Sequence, residues 1–115
     1  MKKIGGNLIV ELKQRIATVT DTGEQIEEWE TVDTLVGFLD STGGDSKYST
    51  YNAKIEESTN VFVCDYKLLP EGAKSENTRI FVPKTNKWYD VLLIDNPMEL
   101  NYHLEFYIKY TGGQN

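Results

Sequence analysis

The chain has 115 residues, a formal net charge of −6 and aromatic side chains at 11% of its positions. This length fits one domain with its own core, and no apolar run reaches the roughly 20 residues of a transmembrane helix. The start, MKKIGGNL, lacks the apolar region of a signal peptide, so we expect no secretory export. The acidic balance argues against nucleic-acid binding, because proteins that bind nucleic acid neutralise its phosphates with clustered Lys and Arg.

The first two predicted strands form a hairpin. Residues 7–20, NLIVELKQRIATVT, alternate apolar and polar side chains, which is typical of a half-buried antiparallel strand. Asp21 and Gly23 then indicate a turn. In the run 25–39 the apolar side chains change parity, which predicts a long strand with a bulge near residues 30–33.

The stretch 40–58 follows, and it carries almost no strand pattern. Its first part is rich in Gly and Ser, a composition typical of flexible chain. Tyr48, Tyr51 and Ile55 fall at helical spacing, which predicts one or two helical turns there. Loops of this length are usually functional or disordered, although a surface loop with a short packing helix is the alternative.

The rest of the chain predicts four more strands. Residues 59–67 form the third, residues 80–82 and 88–94 form a hairpin with a turn around Thr85 and Asn86, and residues 102–110 alternate clearly. Residues 111–115 are expected to be a disordered tail. Six short antiparallel strands predict an all-β fold, a small closed or nearly closed barrel covering residues 1–115 as one domain.

Two of these strands are apolar on both faces, at residues 61–64 and 91–94. A single small barrel buries one face of each strand, so the second face should be covered too. The cover would come from the helix of the 40–58 loop or from another protein chain.

Residues that could carry catalysis are scarce. Cys64 is alone, which excludes an internal disulfide and a thiolate zinc site, and its strand position predicts a buried, inert thiol. His103 is the one histidine and shares the polar face of the last strand with Glu105. Asp40 and Asp45 flank STGG but lack the ligand spacing of a calcium loop. We therefore expect no enzyme activity, no cofactor and no metal.

Several short matches, in order, carry a family resemblance. They are Gln14-Arg15, Asp21 and Gly23 ahead of Glu28-Trp29, the strand Tyr89-Asp90-Val91, and LIDNPMEL before the terminal strand. Over about residues 8–114 the chain resembles the head-closure proteins (head–tail connectors, or stoppers) of tailed phages and prophages.

The resemblance implies a structural virion protein, made in the bacterial cytoplasm and located at the head–tail interface. A closed ring of about a dozen copies would lie below the portal and adaptor, close the DNA channel after packaging and dock the tail. DNA would pass without specific binding, no membrane would be involved, and the isolated chain could be a monomer. The family's gating loop corresponds to Asp40, Ser41, Thr42, Gly43, Gly44, Asp45, Ser46, Lys47, Tyr48 and Tyr51 within 40–58.

An acidic surface is the second candidate site. The segment 21–33 holds six carboxylates and no base, and its candidate interface residues are Glu24, Glu27, Glu28, Trp29 and Glu30. It could line the channel, where negative charge keeps DNA sliding, or meet a basic surface on another ring. A solvated hairpin is the plainer alternative.

Two other functions remain open on the sequence. One is a tail-completion or tail-terminator protein of the same particle. The other is an OB-like binding barrel, which needs exposed aromatic residues beside basic ones. Trp88, near Lys84 and Lys87, is the candidate for that arrangement.

Overall fold

The computed structural model describes residues 6–41, 58–70 and 73–112, and the predicted all-β fold is confirmed. Its strands are β1 (Leu8–Val19), β2 (Gln25–Ser41), β3 (Asn60–Asp65), β4 (Thr78–Val82), β5 (Lys87–Asp95) and β6 (His103–Gly112). Two 3₁₀ turns, Ser75–Asn77 and Pro97–Glu99, are the helical elements of the described residues. In this part of the chain, no helix has the length and apolar character needed to span a membrane.

All neighbouring strands pair antiparallel, in the order β1-β2-β3-β6-β5-β4, and β4 pairs back onto β1 to close a barrel. Alternate side chains point inward and form one core, in which Phe62 and Phe106 are the largest fully buried residues. Closure removes free edges from the barrel wall. The core consists of Val10, Leu12, Leu35, Phe62, Cys64, Ile80, Val82, Tyr89, Val91, Leu104, Phe106 and Ile108.

Bulges explain the changes of apolar parity. The β1–β2 register shifts so that Leu12 faces Asp33 and Lys13 faces Thr31, which leaves Val32 as the extra residue. This confirms the bulge predicted near residues 30–33. A second shift leaves Leu92 unpaired in β5, and it lets Val91 and Ile94 both contact the core on either side of it. The apolar run 91–94 therefore follows partly from a bulge, which the sequence analysis did not predict.

The β1–β2 hairpin projects beyond the barrel. β1 pairs with β4 only at Glu11–Gln14, and β2 pairs with β3 only at Gly37–Ser41. Beyond those positions, residues 15–19 and 25–29 pair only with each other among the described residues, and we call this part the ribbon. The molecule measures 50 × 30 × 28 Å with a radius of gyration of 15.0 Å, against about 13 Å for a compact chain of this length.

The turn at the ribbon tip is the one predicted from Asp21 and Gly23. Gly23 has φ +86°, a conformation that glycine adopts without steric cost. The tip is closed by the Thr20 backbone N–H donating to the Glu24 carbonyl at 2.8 Å, and by the Glu24 N–H donating to the Thr20 side-chain oxygen at 3.1 Å.

Two predicted boundaries are corrected. Asp40 and Ser41, assigned to the loop, continue β2 because Val61 and Asn60 supply strand partners for them. Thr111, assigned to the tail, belongs to β6, and its hydroxyl donates to the Trp88 carbonyl at 3.0 Å. Gly112, also assigned to the tail, is the last residue of β6. The helical turns predicted at Tyr48, Tyr51 and Ile55 lie outside the described residues.

The barrel has two distinct ends. The ribbon leaves from one, together with the start of β4 and the end of β5, and we call it the ribbon end. At the other, the turn end, β4 and β5 are joined by a tight turn in which Asn86 has φ +56°. The ends of β2 and β3 that flank residues 42–57 also lie there.

Candidate interaction surface

The most developed cluster of side chains lies on the outer wall of β1, β4 and β5. Phe81 and Trp88 pack with ring centres 4.9 Å apart. The Lys13 ammonium lies 5.6 Å from the centre of each ring. Such cation–aromatic contacts are favourable by about 0.5–1 kcal/mol at exposed sites, so they hold the Lys13 side chain against the barrel wall.

The Glu11 carboxylate holds the Lys13 ammonium in place on this wall. Lys13 Nζ lies 2.9 Å from Glu11 Oε1 and donates to the Thr31 hydroxyl at 2.6 Å, and that hydroxyl donates to Glu11 at 3.1 Å. The hydrogen bond from Lys13 holds the pKa of Glu11 below its ordinary value. The result is a neutralised patch.

A second stacking contact joins the ribbon to the barrel. The guanidinium carbon of Arg79 lies 4.4 Å from the centre of the Trp29 ring, and Arg79 Nε lies 2.9 Å from Asp90 Oδ1. Arg15 and Leu92 line the same cavity of about 290 Å³. Trp29 is therefore half-buried at the root of the ribbon.

Of the candidate interface residues, Glu27, Glu28 and Trp29 lie on the ribbon, Glu24 lies in its tip turn and Glu30 lies just outside the ribbon at its root. Since directly paired residues share a face, Glu28 lies with Ile16, whereas Glu27 and Trp29 lie with Arg15. Glu27 Oε2 is 3.7 Å from Arg15 Nε. Glu24, Glu27, Glu28 and Glu30 are all exposed, and Trp29 is set apart from them by its contact with Arg79.

The β2 edge is capped where it reaches the barrel. Lys67 Nζ lies 2.6 Å from Asp33 Oδ1 and 3.4 Å from the Thr34 carbonyl oxygen. Partial burial acts to raise the pKa of Asp33, but the bonds from Lys67 and from the Thr34 N–H prevail and lower it. Lys67 thus occupies the Thr34 carbonyl on the part of β2 that does not pair with β3, and a charged lysine at a strand edge disfavours further strand addition.

Of the predicted gating residues, Asp40 and Ser41 belong to the part of the chain that the structure describes. Asp40 and Ser41 are exposed at the end of β2, where Asp40 Oδ1 accepts the Ser41 N–H at 2.8 Å. Thr42, Gly43, Gly44, Asp45, Ser46, Lys47, Tyr48 and Tyr51 lie outside the described residues.

An apolar stripe runs along the outer wall of β1, β2 and β3 near the turn end. Ile9 pairs with Val36, and Phe38 pairs with Val63. Ile9, Val36 and Phe38 remain 56, 49 and 47% exposed. The outer face of residues 61–64 therefore borders an exposed apolar surface, and its expected cover stays a prediction.

The candidates for chemistry lie as their strand positions predict. Cys64 is buried, and desolvation, aided by Asp65, raises the pKa of its thiol to about 11. His103 Nε2 lies 3.1 Å from Glu105 Oε2 on the outer wall. Within the described ranges no group of three His, Cys, Asp or Glu side chains could hold a metal.

Sequence reasoning missed the Lys13, Arg79 and Phe81 part of this wall. It placed Lys84 and Lys87 beside Trp88, whereas Lys13 fills that position and Lys87 lies over Tyr110 at 5.3 Å. Alternation puts Lys13 on the polar face of β1. Its aromatic partners come from strands about seventy residues away, and no short-range pattern reports them.

Comparison with known proteins identifies the fold. No protein-family model matches the chain, and no curated protein matches it. A similar solved structure is the solution structure of protein SF1141 from Shigella flexneri 2a, with a TM-score of 0.73 at 17% identity. The alignment covers 97% of this chain and 98% of that one. At this identity the likeness establishes the common fold alone.

Proposed function

We propose that this chain is a structural protein of a tailed phage or prophage, which joins head to tail and closes the DNA channel as a ring. The sequence resemblance over residues 8–114 supports this proposal. The observation that carries it concerns two features of the closed barrel in the single chain. The ribbon projects from the barrel, and the apolar stripe lies exposed on its outer wall. Exposed apolar patches commonly mark interaction surfaces, and repeated copies would bury them.

The ribbon suits contact with other proteins better than contact with DNA. Glu28 and Glu30 form no ion pair with a described residue, so they keep the ribbon and its root negative. A negative element repels the phosphate backbone. Beside a channel this negative charge would keep DNA sliding, and against a neighbouring protein chain it would favour contact with a positively charged surface.

We assign channel closure to the connection between β2 and β3, residues 42–57. Its two flanks are fixed side by side, since Ser41 pairs with Asn60, and Thr59 is anchored by its N–H donating to the Ile108 carbonyl at 2.9 Å. Ser58 is buried. A deletion confined to 42–57 therefore leaves every described strand intact. A deletion of 40–58 would also remove the paired residues Asp40 and Ser41 and the buried Ser58, and would damage the barrel.

The test replaces residues 42–57 with Asn-Gly, which leaves a four-residue connection, Asn-Gly-Ser-Thr, between the paired Ser41 and Asn60, a length that hairpins commonly use. The chain should still fold and enter particles, and those particles should lose packaged DNA. The matched control replaces only Thr85-Asn86 in the β4–β5 turn with Asn-Gly, and its particles should keep their DNA. Particles that hold full genomes without residues 42–57 would contradict closure by this connection. Full heads that fail to receive tails would favour the tail-completion function.

A further inference from the structure

The described charges are unevenly distributed along the long axis of the molecule. Five exposed carboxylates lie on or beside the ribbon, with Arg15 as the basic residue among them. The turn end instead presents Lys84 and Lys87, although Asp40 also lies there. The five carboxylates are Asp21, Glu24, Glu27, Glu28 and Glu30.

Both ends also carry matching apolar features. On the ribbon, Val19 is 72% exposed and Ile26 is 36% exposed. At the turn end, a cavity of about 310 Å³ is lined by Asn7, Leu8, Ile9, Pro83 and Lys84. An apolar projection and a partly apolar cavity rimmed by lysine are thus present on opposite ends of one chain.

These two ends cannot meet within one molecule. Ile9 and Val19 are ten residues apart on the same continuous strand, which places them about 33 Å apart at the rise of a β-strand. A contact between the two features therefore requires two chains. Because the surfaces differ, the contact is heterologous, and repeating it gives a ring if the rotation closes.

We propose that the ribbon of one copy docks on the turn end of a second copy, with Val19 entering the cavity beside Ile9 and Pro83. Glu27, which lies on the same ribbon face as Val19, then faces Lys84 and Lys87, and this charge match sets the direction of the contact. The contact deepens the proposed ring function by naming the two surfaces that adjoin. It can nevertheless hold for the purified chain alone.

The test cross-links the purified full-length chain carrying Val19→Cys and Ile9→Cys with a short bis-maleimide. Cys64 does not compete, because its thiol is buried. The double variant should give a ladder of dimers, trimers and larger species, whereas each single variant should stop at dimers. The matched control pairs Val19→Cys with Leu68→Cys, which is 81% exposed and lies after β3 at the ribbon end, and it should give no ladder.

Charge reversal provides the second readout. Adding Lys84→Glu and Lys87→Glu to the ladder-forming variant should abolish the ladder, and adding Glu27→Lys as well should restore it. No ladder from Val19→Cys with Ile9→Cys, an equal ladder from the control pair, or a ladder indifferent to charge reversal would each overturn the contact. The head–tail function is tested separately, by the presence of the chain in particles, so either can fail without the other.

Discussion

Arg79 and Trp29 join two strands that do not pair with each other, with 4.4 Å between the guanidinium carbon and the ring centre. Arg79 belongs to β4 in the barrel wall, and Trp29 lies in β2 where the ribbon begins. Isolated two-stranded ribbons are marginally stable in water. The stacked pair therefore anchors the root of the ribbon and sets the direction in which it projects.

Replacing Arg79 with Met should loosen the ribbon while the barrel remains folded. Loss of the cation–aromatic contact should cost about 1 kcal/mol locally, so the amides of Glu28 and Glu30 should exchange hydrogen about fivefold faster. Lys87→Met is the matched control, since it removes a similar contact over Tyr110 at the turn end. Unchanged ribbon exchange in Arg79→Met would show that Trp29 is held by other contacts.

Any side chain placed at position 37 should destabilise the fold. Gly37 is buried opposite Cys64, and a Cβ added there would overlap the Val63 carbonyl oxygen and lie 3.0 Å from the Phe62 ring. Gly37→Ala should lower the free energy of unfolding by about 1–3 kcal/mol, as overpacking does. Urea denaturation measures this.

The neighbouring position supplies the control for Gly37. Val36→Ala changes an outward-facing, half-exposed side chain, so it should shift the free energy of unfolding by no more than about 0.5 kcal/mol. Equal stability of the Gly37 and Val36 variants would contradict the close packing between β2 and β3.

The pair Asp33–Lys67 should make stability depend on acid pH. The pKa of Asp33 is lowered in the folded chain, so its contribution is present above the unfolded carboxyl pKa of about 3.9 and is lost as pH falls through the lower folded value. Lys67→Met should cost up to about 1 kcal/mol at pH 7, given the exposure of this pair. It should also reduce the fall in stability between neutral and acid pH.

Urea unfolding of the Lys67→Met variant at several pH values measures both effects. Lys109→Met is the control, because Lys109 is exposed and forms no ion pair with a described residue. It should leave the pH profile unchanged. A Lys67→Met profile identical to that of the unaltered chain would show that the ion pair contributes nothing to stability.

Cys64 should react slowly in the folded protein. With a thiol pKa of about 11, the thiolate fraction at pH 8 is roughly two orders of magnitude below that of a free cysteine, and burial slows access further. Iodoacetamide should label Cys64 in the native chain at least about a hundredfold more slowly than in urea. Fast native labelling would place Cys64 outside the core.

Periodicity predicted the parts of this fold that depend on one strand at a time. The parity change around Val32 predicted its bulge, and the alternation from Leu104 to Ile108 predicted the inward face of β6. The bulge at Leu92 was missed, because an apolar run on both faces also fits a covered strand. A bulged strand and a covered strand differ only in the register with which β5 pairs with β6.

The ribbon and its anchor depend on pairing lengths, which no local pattern encodes. Strand β1 has twelve residues and β4 has five, so the end of β1 extends past β4 and leaves the barrel wall. The acidic residues of the ribbon were found from composition alone. Arg79 was missed because its ring partner Trp29 lies fifty residues earlier in the chain.

The proposed head–tail function is tested most directly by cryo-electron microscopy of any tailed particles produced from the genome that encodes this chain. The account predicts a ring at the head–tail junction, formed by six-stranded barrels whose β2–β3 connections point towards the channel. A junction whose density is fully explained by other proteins, with no ring of this barrel, would contradict it.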